Sequence, residues 1–286
     1  MALDHTNSTP PDNIRLPDAL TVRHGSGPLI GRIVLEGDIA ARRAGIHLYF
    51  RSDFDALLEL NRRQSKLGHW HKLLGTFDPE GTDISGENGF WIAGHNDAGE
   101  IVTCSAGRIY HWPDSTLEPH AAEVFFGRDE GQPRTVTAPA AKFITGVVMK
   151  AGSTWVHPDY RGRELSHLMP RLARAYALGH WPLDWIIGYV PKVLIDKGIA
   201  TGYGVKHVSY SILFPESPHG EIGLTYTSGQ EVYDDFGSFI ADELSDPAIR
   251  KFAPAPLGAP LGKSLVHEVT STASAPVRQG SSSRSN

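Results

Sequence analysis

A short basic loop at residues 157–166, His-Pro-Asp-Tyr-Arg-Gly-Arg-Glu-Leu-Ser, holds the groups of this sequence best suited to binding a ligand. Arg161 and Arg163 flank Gly162, directly before a segment whose apolar residues recur at helical spacing. The first backbone N–H groups of a helix have no partner within it, and the helix dipole favours negative charge at that end. The loop therefore predicts a binding site for an anion such as a phosphate or a diphosphate.

Such a loop needs a strand before it and a helix after it, and the sequence provides both. Residues 143–156 form a largely apolar run that predicts a strand, with a break at residues 150–153. The helix is predicted from about Arg163 to Leu178, and its apolar face comprises Leu165, Leu168, Met169, Leu172, Ala173 and Tyr176. Pro170 is expected on the opposite face and should kink the helix, because proline removes one backbone hydrogen bond.

The phrase Val-His-Pro-Asp-Tyr-Arg-Gly-Arg resembles the acyl-CoA loop of the GNAT N-acetyltransferase superfamily. The family pattern is Arg or Gln, two residues, Gly, one residue, then Gly or Ala, and it falls here on Arg161, Glu164 and Ser166. Ser166 is a small departure, whereas Glu164 brings a carboxylate near a bound diphosphate. Residues 197–207 resemble a second family region, Tyr-x-Lys-x-Gly-Phe.

The resemblance implies that acetyl-CoA is the co-substrate, and we expect no metal. Trp155 and Val156 would pair their backbone groups with the pantetheine amides, in the way that a strand adds to the edge of a sheet. The backbone N–H groups of the loop would bind the diphosphate, at Arg161, Gly162, Arg163, Glu164, Leu165 and Ser166.

Acetyl transfer to an amine needs a base for the amine, polarisation of the thioester oxygen and an acid for the leaving thiolate. The family often uses as acid a tyrosine on the helix after the second splayed strand, but here that position is Ala200. We take Tyr189 as the candidate acid, with Tyr203 as the alternative. Glu123 is the candidate base, with His157 as the alternative.

The predicted order of elements is strand, helix, hairpin, strand, loop, helix, strand, helix, strand, and it matches the GNAT fold over residues 46–226. The resemblance implies an α/β (α+β) fold, with a GNAT-like mixed, mostly antiparallel sheet whose central strands splay apart and are flanked by helices. We expect residues 1–18 to be a disordered leader, residues 19–245 a single acyltransferase domain, and residues 246–286 a disordered tail.

Local signals predict further elements on both sides of the loop. Asp53 is expected to cap a helix over residues 54–66. Residues 20–45 are ambiguous, and the two elements suggested there are an extra strand at 29–35 and a short helix at 38–44.

Two long segments carry little periodicity. Residues 68–88 and 113–141 are rich in glycine, proline or charge, apart from a short strand expected at 124–126. We expect these two segments to build the substrate pocket, because long loops in a compact domain are often binding loops.

Composition and charge exclude several classes of protein. The net charge of −5 argues against a nucleic-acid binder that neutralises phosphates. The single cysteine, Cys104, excludes an internal disulfide and suits a reducing compartment. The N-terminus lacks the apolar segment of a secretory signal, so we expect a cytoplasmic protein. No apolar run approaches the length of a membrane span, so no membrane partner is expected.

Together these features predict an acetyl-CoA-dependent N-acetyltransferase whose acceptor is an amine of a small molecule, peptide or protein that attacks the thioester directly. The alternative is a catalytically weak acyl-CoA-binding module for sensing or assembly, which Glu164 and Ala200 favour. The sequence does not identify the amine, and it leaves open whether the chain forms a homodimer.

Overall fold

The computed structural model describes residues 12–127, 135–213 and 221–244. Within these ranges one sheet contains nine strands: β1 (Ile14–Arg15), β2 (His47–Arg51), β3 (Gly89–His95), β4 (Ile101–Trp112), β5 (Thr135–Val136), β6 (Gly146–Val156), β7 (Trp185–Pro191), β8 (His207–Leu213) and β9 (Ile222–Ser228). The helices are α1 (Leu16–Ala19), α2 (Gly27–Arg43), α3 (Phe54–Lys66), α4 (Leu117–Phe126), α5 (Leu165–His180), α6 (Lys192–Asp196), α7 (Ile199–Gly202) and α8 (Gly229–Phe239).

The strands lie in the order β1-β2-β3-β4-β6-β7-β9-β8-β5, and every pair is antiparallel except β6 with β7. These two parallel strands pair only from Val148 opposite Trp185 to Lys150 opposite Ile187. Beyond that pair β6 and β7 continue without pairing to each other and separate. The expected GNAT-like fold, a mixed, mostly antiparallel sheet with splayed central strands, is confirmed.

Helices cover both faces of the sheet. Successive residues of β3 enter different clusters, with Phe90 and Ile92 in one and Trp91 and Ala93 in another, because side chains alternate across a strand. We call the side covered by α2, α5 and α8 the α5 face, and the side covered by α3 and α4 the α4 face. Burial on both sides explains why β3 is almost wholly apolar.

Helix α5 is buried around most of its circumference, which corrects one expectation. Pro170 was predicted on a face away from the core, yet it is buried, and the helix continues across it to His180. Two arginines of α5, Arg171 and Arg174, are also buried. An amphipathic pattern shows one apolar face, and it does not show that α2 and α8 cover the remaining faces.

The N-terminal part of the chain also differs from expectation. The strand suggested at 29–35 is wrong, and the helix suggested at 38–44 is the C-terminal part of the longer helix α2, which has a proline in its first turn. The expected disordered leader is wrong for residues 12–18, since these enter β1 and α1. Leu16 is fully buried there, and Arg15 forms an ion pair with Asp38 of α2 at 2.6 Å.

Two further predictions have a clear outcome. Helix α3 spans Phe54–Lys66 as expected, and the Asp53 carboxylate accepts from the Ala56 N–H at 3.0 Å. The strand expected at 124–126 is wrong, because these residues end helix α4 and Val124 and Phe125 pack on the sheet. The expected tail at 246–286 lies outside the described residues, and no helix inside them has the length and apolar character of a membrane span.

Candidate functional site

The gap between β6 and β7 exposes one edge of β6. The His157 N–H donates to the Val102 carbonyl at 2.8 Å, so these residues form a hydrogen-bonded pair with β4. Bonded and non-bonded pairs alternate in an antiparallel ladder, so Val156, opposite Thr103, turns its N–H and C=O away from β4. Its carbonyl accepts from Arg161 Nε at 3.3 Å, and its N–H faces the gap.

The other residue predicted to bind pantetheine has a different role in the structure. Trp155 lies opposite Cys104, and its carbonyl accepts from Thr103 Oγ1 at 2.7 Å, so its backbone faces β4. Its buried ring stacks on Trp70 at 5.2 Å, and its Nε1 donates to the His69 carbonyl at 3.1 Å. Trp155 therefore anchors the segment 68–88 on β6, while Val156 presents its backbone to the gap.

The loop between β6 and α5 leaves a row of N–H groups without partners. A 3-10 turn at Pro158–Tyr160 follows the strand, and Gly162 has φ +76°, a conformation that suits glycine. Among the residues described, none accepts a hydrogen bond from the backbone N–H of Gly162, Arg163, Leu165 or Ser166. These groups point from the start of a long helix, and they suit an anion of the size of a diphosphate.

The two loop arginines hold the loop in place. Arg161 donates from Nη2 to the His69 carbonyl at 3.2 Å as well as to Val156. Arg163 donates to the Ala44 carbonyl at 3.3 Å, and its guanidinium lies over the Tyr160 ring at 4.6 Å. Their positive charge remains at the anion site, but their hydrogen bonds go to backbone carbonyls.

Glu164 stands at the position where the family pattern has glycine, and its backbone explains the preference. Its φ of +56° is left-handed, a conformation that L-residues other than glycine adopt at a cost. The carboxylate lies 2.7 Å from His167 Nδ1, one turn along α5. Glu164, the residue directly before α5, thus combines a strained backbone conformation with a negative charge.

The candidate acids occupy different places. Tyr189 lies on β7 beyond the last pair with β6, its ring is 5.9 Å from that of Phe125, and burial raises the pKa of its hydroxyl to about 12. Tyr203 ends α7, 6.1 Å from the His167 ring and so beside the loop, and burial raises the pKa of its hydroxyl too. Ala200 is buried in α7 and offers no proton.

The candidate bases lie on α4 and directly after β6. Glu123 is exposed on α4, where its charge raises the pKa of the Tyr110 hydroxyl as a minor contribution beside that of burial. His157 ends β6, its Nδ1 accepts from the Asp159 N–H at 3.3 Å, and burial lowers its pKa. His157 is therefore a turn residue, as its place before Pro158 suggests.

Sequence reasoning missed Lys150, the last residue of β6 that pairs with β7. Its side chain is buried, and its Nζ lies 4.8 Å from the Tyr189 ring centre, 5.4 Å from that of Phe125 and 6.0 Å from that of Phe77. Burial lowers the pKa of its ammonium to about 7. The available signal was a single lysine inside the apolar run Val147-Val148-Met149-Lys150-Ala151.

The two segments expected to build the pocket meet at this lysine. Phe77 belongs to a 3-10 turn, Gly75–Phe77, within residues 68–88. Phe125 belongs to α4, within residues 113–141. Both rings lie on the α4 face, beside the gap. The buried ammonium of Lys150, the open strand edge at Val156 and the anion site in the loop therefore follow one another along β6 and the loop after it. Cys104, by contrast, is fully buried, and burial raises the pKa of its thiol.

No family model matches the chain, and no curated protein matches its sequence. Among solved structures it is similar to NAA60 of Arabidopsis thaliana in complex with acetyl-CoA, at 11% identity over 63% of this chain and 98% of that chain, with a TM-score of 0.40. A dodecameric spermidine N-acetyltransferase from Vibrio cholerae matches at 8% identity over 64% of this chain and 95% of that chain, with a TM-score of 0.38. A GNAT-family acetyltransferase from Streptococcus pneumoniae matches at 11% identity over 63% of this chain and 99% of that chain, with a TM-score of 0.35. At these values the likeness goes no further than the GNAT-like fold, which the strand order already gives.

Proposed function

We propose that the chain is an acetyl-CoA-dependent N-acetyltransferase that transfers an acetyl group to an amine. The observation that carries the proposal is the continuity of the strand edge with the helix start. The free edge of β6 at Val156 leads directly into the unpartnered N–H groups of Gly162, Arg163, Leu165 and Ser166. A ligand that fits has an extended arm with amide groups joined to a diphosphate, and acetyl-CoA has both.

Each part of this ligand has a matching group in the protein. The pantetheine amides would pair with the backbone of Val156 as an added strand does. The diphosphate would accept from the loop N–H groups at the positive end of the α5 dipole, near the charges of Arg161 and Arg163. The thioester would then lie farther into the gap, where β6 and β7 separate.

The sequence predicts a residue for each proton transfer. Its candidate donor to the leaving thiolate is Tyr189, which lies on β7 beyond the last pair with β6. Glu123 would take the proton of the attacking amine, and its exposed position on α4 suits a group that meets the acceptor as it enters from solvent. The acceptor itself is an amine of a small molecule, peptide or protein.

The experiment that tests this function is a thiol-release assay with purified full-length chain, acetyl-CoA and a panel of amines. The panel comprises polyamines, aminoglycosides, free amino acids and peptides with free N-termini or lysines. We expect CoA release above the rate of hydrolysis with at least one class. If the chain binds acetyl-CoA but releases no CoA with any class of amine, the proposal that it is an enzyme is contradicted.

Two observations favour a second candidate function, a non-catalytic acyl-CoA-binding module. Ala200 removes the hydroxyl at the family's usual acid position, and Glu164 places a carboxylate at the anion site. This module would bind acetyl-CoA through the same strand edge and loop. The thiol-release assay distinguishes the two, because the module binds acetyl-CoA and releases no CoA.

A further inference from the structure

Lys150 sits where β6 and β7 part. It forms the last parallel pair, with Ile187, and its Nζ donates to the carbonyl of the next residue, Ala151, at 2.9 Å. A side chain on Gly188 would come within 3.7 Å of that same carbonyl, so the lysine head group lies at the apex of the gap. The side chain is only 1% exposed, which places its ammonium in the interior of the protein.

Aromatic rings surround the ammonium, and none of the residues that the structure describes is a counter-ion in contact with it. Rings of Phe77, Phe125 and Tyr189 face Nζ from three elements. No carboxylate among the described residues forms an ion pair with Lys150. A buried charge that only stabilises a fold normally has a counter-ion. A buried ammonium at the gap between β6 and β7, with no counter-ion among the described residues, therefore indicates another role.

Among the described residues, titratable groups lie on three of the elements around Lys150. On β4, Arg108 lies directly opposite and pairs with Asp83. On β7, Tyr189 presents the face of its ring, and on α4, Glu123 is exposed. Burial alone lowers the lysine pKa, to about 7, and none of these neighbours contributes to the shift.

Burial affects the two proton donors at the gap in opposite ways. A tyrosine that gives up its proton becomes a buried anion, and burial accordingly raises the pKa of Tyr189. A lysine that gives up its proton becomes neutral, and the same apolar surroundings favour this neutral form. Of the two, the lysine is the better acid at this place.

We propose that Lys150, rather than Tyr189, is the residue that protonates the leaving thiolate, with Tyr189 as the ring that positions it. This inference rests on the proposed function. The acceptor nitrogen forms a bond to the thioester carbon, the carbon–sulfur bond breaks with its electron pair on sulfur, and one proton moves from Nζ to sulfur. Lys150 is then neutral. The proton that the acceptor nitrogen loses protonates Lys150 again, so each turnover leaves the enzyme unchanged.

The test compares two acetyl donors that differ in their need for an acid. CoA thiolate leaves with a proton, whereas the thiolate of acetyl 4-nitrothiophenol is stable without one. The proteins are the wild type, Lys150→Met, Tyr189→Phe and, as a control with the same substitution at an exposed lysine of α3, Lys66→Met. Each is assayed with the best amine acceptor of the panel, and thermal unfolding verifies that each is folded.

We expect Lys150→Met to lower kcat/KM with acetyl-CoA by roughly 100- to 10,000-fold, the range for losing a general acid, and with the aryl thioester by less than about tenfold. Tyr189→Phe should lower both by less than about tenfold, and Lys66→Met should change neither. An equal loss with both donors would show a structural role for Lys150 and overturn the proposal. A loss confined to acetyl-CoA in Tyr189→Phe would return the role to Tyr189 and overturn it as well.

A measurement on the wild type keeps the proposal testable if Lys150→Met does not fold. The ratio of the rates with acetyl-CoA and with the aryl thioester cancels the ionisation of the acceptor. This ratio should fall as the pH rises from 7 to 9, because the ammonium of Lys150 is lost. A constant ratio would contradict the inference while leaving the acetyltransferase in place, whereas no CoA release by the wild type would overturn both.

Discussion

On the α5 face of the sheet, Arg171 and Arg174 are buried together with Asp235, whereas on the α4 face Lys150 is buried with no carboxylate in ion-pair contact among the described residues. Arg171 donates to both oxygens of Asp235, at 2.8 and 3.0 Å, and also to the Gly202 carbonyl at 2.7 Å. Arg174 donates to the Gly204 carbonyl at 3.3 Å. This cluster connects α5 to α7 and α8.

The buried charges on the α5 face hold helices together, whereas the buried charge of Lys150 suits proton transfer. A bidentate arginine–carboxylate pair stays charged at every physiological pH and fixes the packing of the helices around it. A lysine without a counter-ion changes its charge near neutral pH, so its burial gives no stability and suits proton transfer. Arg108, opposite Lys150 on β4, is also buried, but it has a carboxylate partner, Asp83.

The largest expected effect comes from breaking the structural cluster. Asp235→Asn leaves two buried guanidinium groups without a carboxylate and should lower the free energy of unfolding by about 3–5 kcal/mol. Urea denaturation measures it, with Asp234→Asn as the control, because Asp234 is the exposed neighbour on α8 and its loss should stay within about 0.5 kcal/mol. Equal stability of both variants would show that the cluster does not hold the helices together.

Replacing Lys150 should raise the free energy of unfolding at pH 7, whereas Asp235→Asn should lower it. Its pKa is about 7 in the folded chain, below that of a free lysine, so between pH 7 and 10 the unfolded chain binds more protons than the folded one. Wild-type stability should therefore rise with pH in this range, by at most about 1.4 kcal/mol per pH unit. Lys150→Met lacks this slope and should be more stable than the wild type at pH 7.

Urea denaturation at pH 7, 8.5 and 10 tests this sign. The advantage of Lys150→Met over the wild type should shrink as the pH rises, while Lys66→Met should follow the wild type at each pH. A wild-type stability that falls relative to Lys150→Met across this range would mean that the lysine has a counter-ion in solution.

The smallest effect is expected at Glu164. Glycine removes the cost of a left-handed residue at φ +56° but also the contact of the carboxylate with His167, so the net gain in stability should be about 1 kcal/mol or less. Removal of the carboxylate should tighten acetyl-CoA binding by a few-fold. Asn13→Gly, at another left-handed residue with φ +62°, is the control and should leave acetyl-CoA affinity unchanged. Weaker binding by Glu164→Gly would show that the carboxylate supports the loop.

The central strand, loop and helix could be predicted because their signals are local in sequence. The apolar run of β6, the Gly162 turn and the spacing of α5 lie within residues 143–180, and together they indicate the GNAT-like fold. The cap at Asp53 is equally local.

Features that depend on distant partners could not be predicted. The loop arginines bond to His69 and Ala44, 92 and 119 positions away along the chain, so their orientation was not visible. Helix α2 was missed because glycines interrupt its pattern. Gly37 lies where α2 crosses α5, and a side chain there would approach Leu172 to 2.7 Å, so the close packing of two helices requires that glycine.

Lys150 was missed for a related reason. Alternation along a strand identifies which residues share a face, but it does not show that both faces are covered. The covering rings of Phe77 and Phe125 come from segments without regular periodicity. Only the assembled sheet shows that this lysine is enclosed, and that β7 separates from β6 directly after it.

The most direct test of the account is a calorimetric titration of acetyl-CoA into the wild type, Gly162→Asp and Gly99→Asp. Both glycines have positive φ, +76° and +81°, and open space where a side chain would stand, but Gly99 lies in the hairpin between β3 and β4. We predict that acetyl-CoA binds the wild type and Gly99→Asp alike. Gly162→Asp should bind at least about tenfold more weakly, because a carboxylate then faces the diphosphate. Absence of heat and of any thermal shift for the wild type at millimolar acetyl-CoA, or equal binding by both variants, would contradict the acetyl-CoA site.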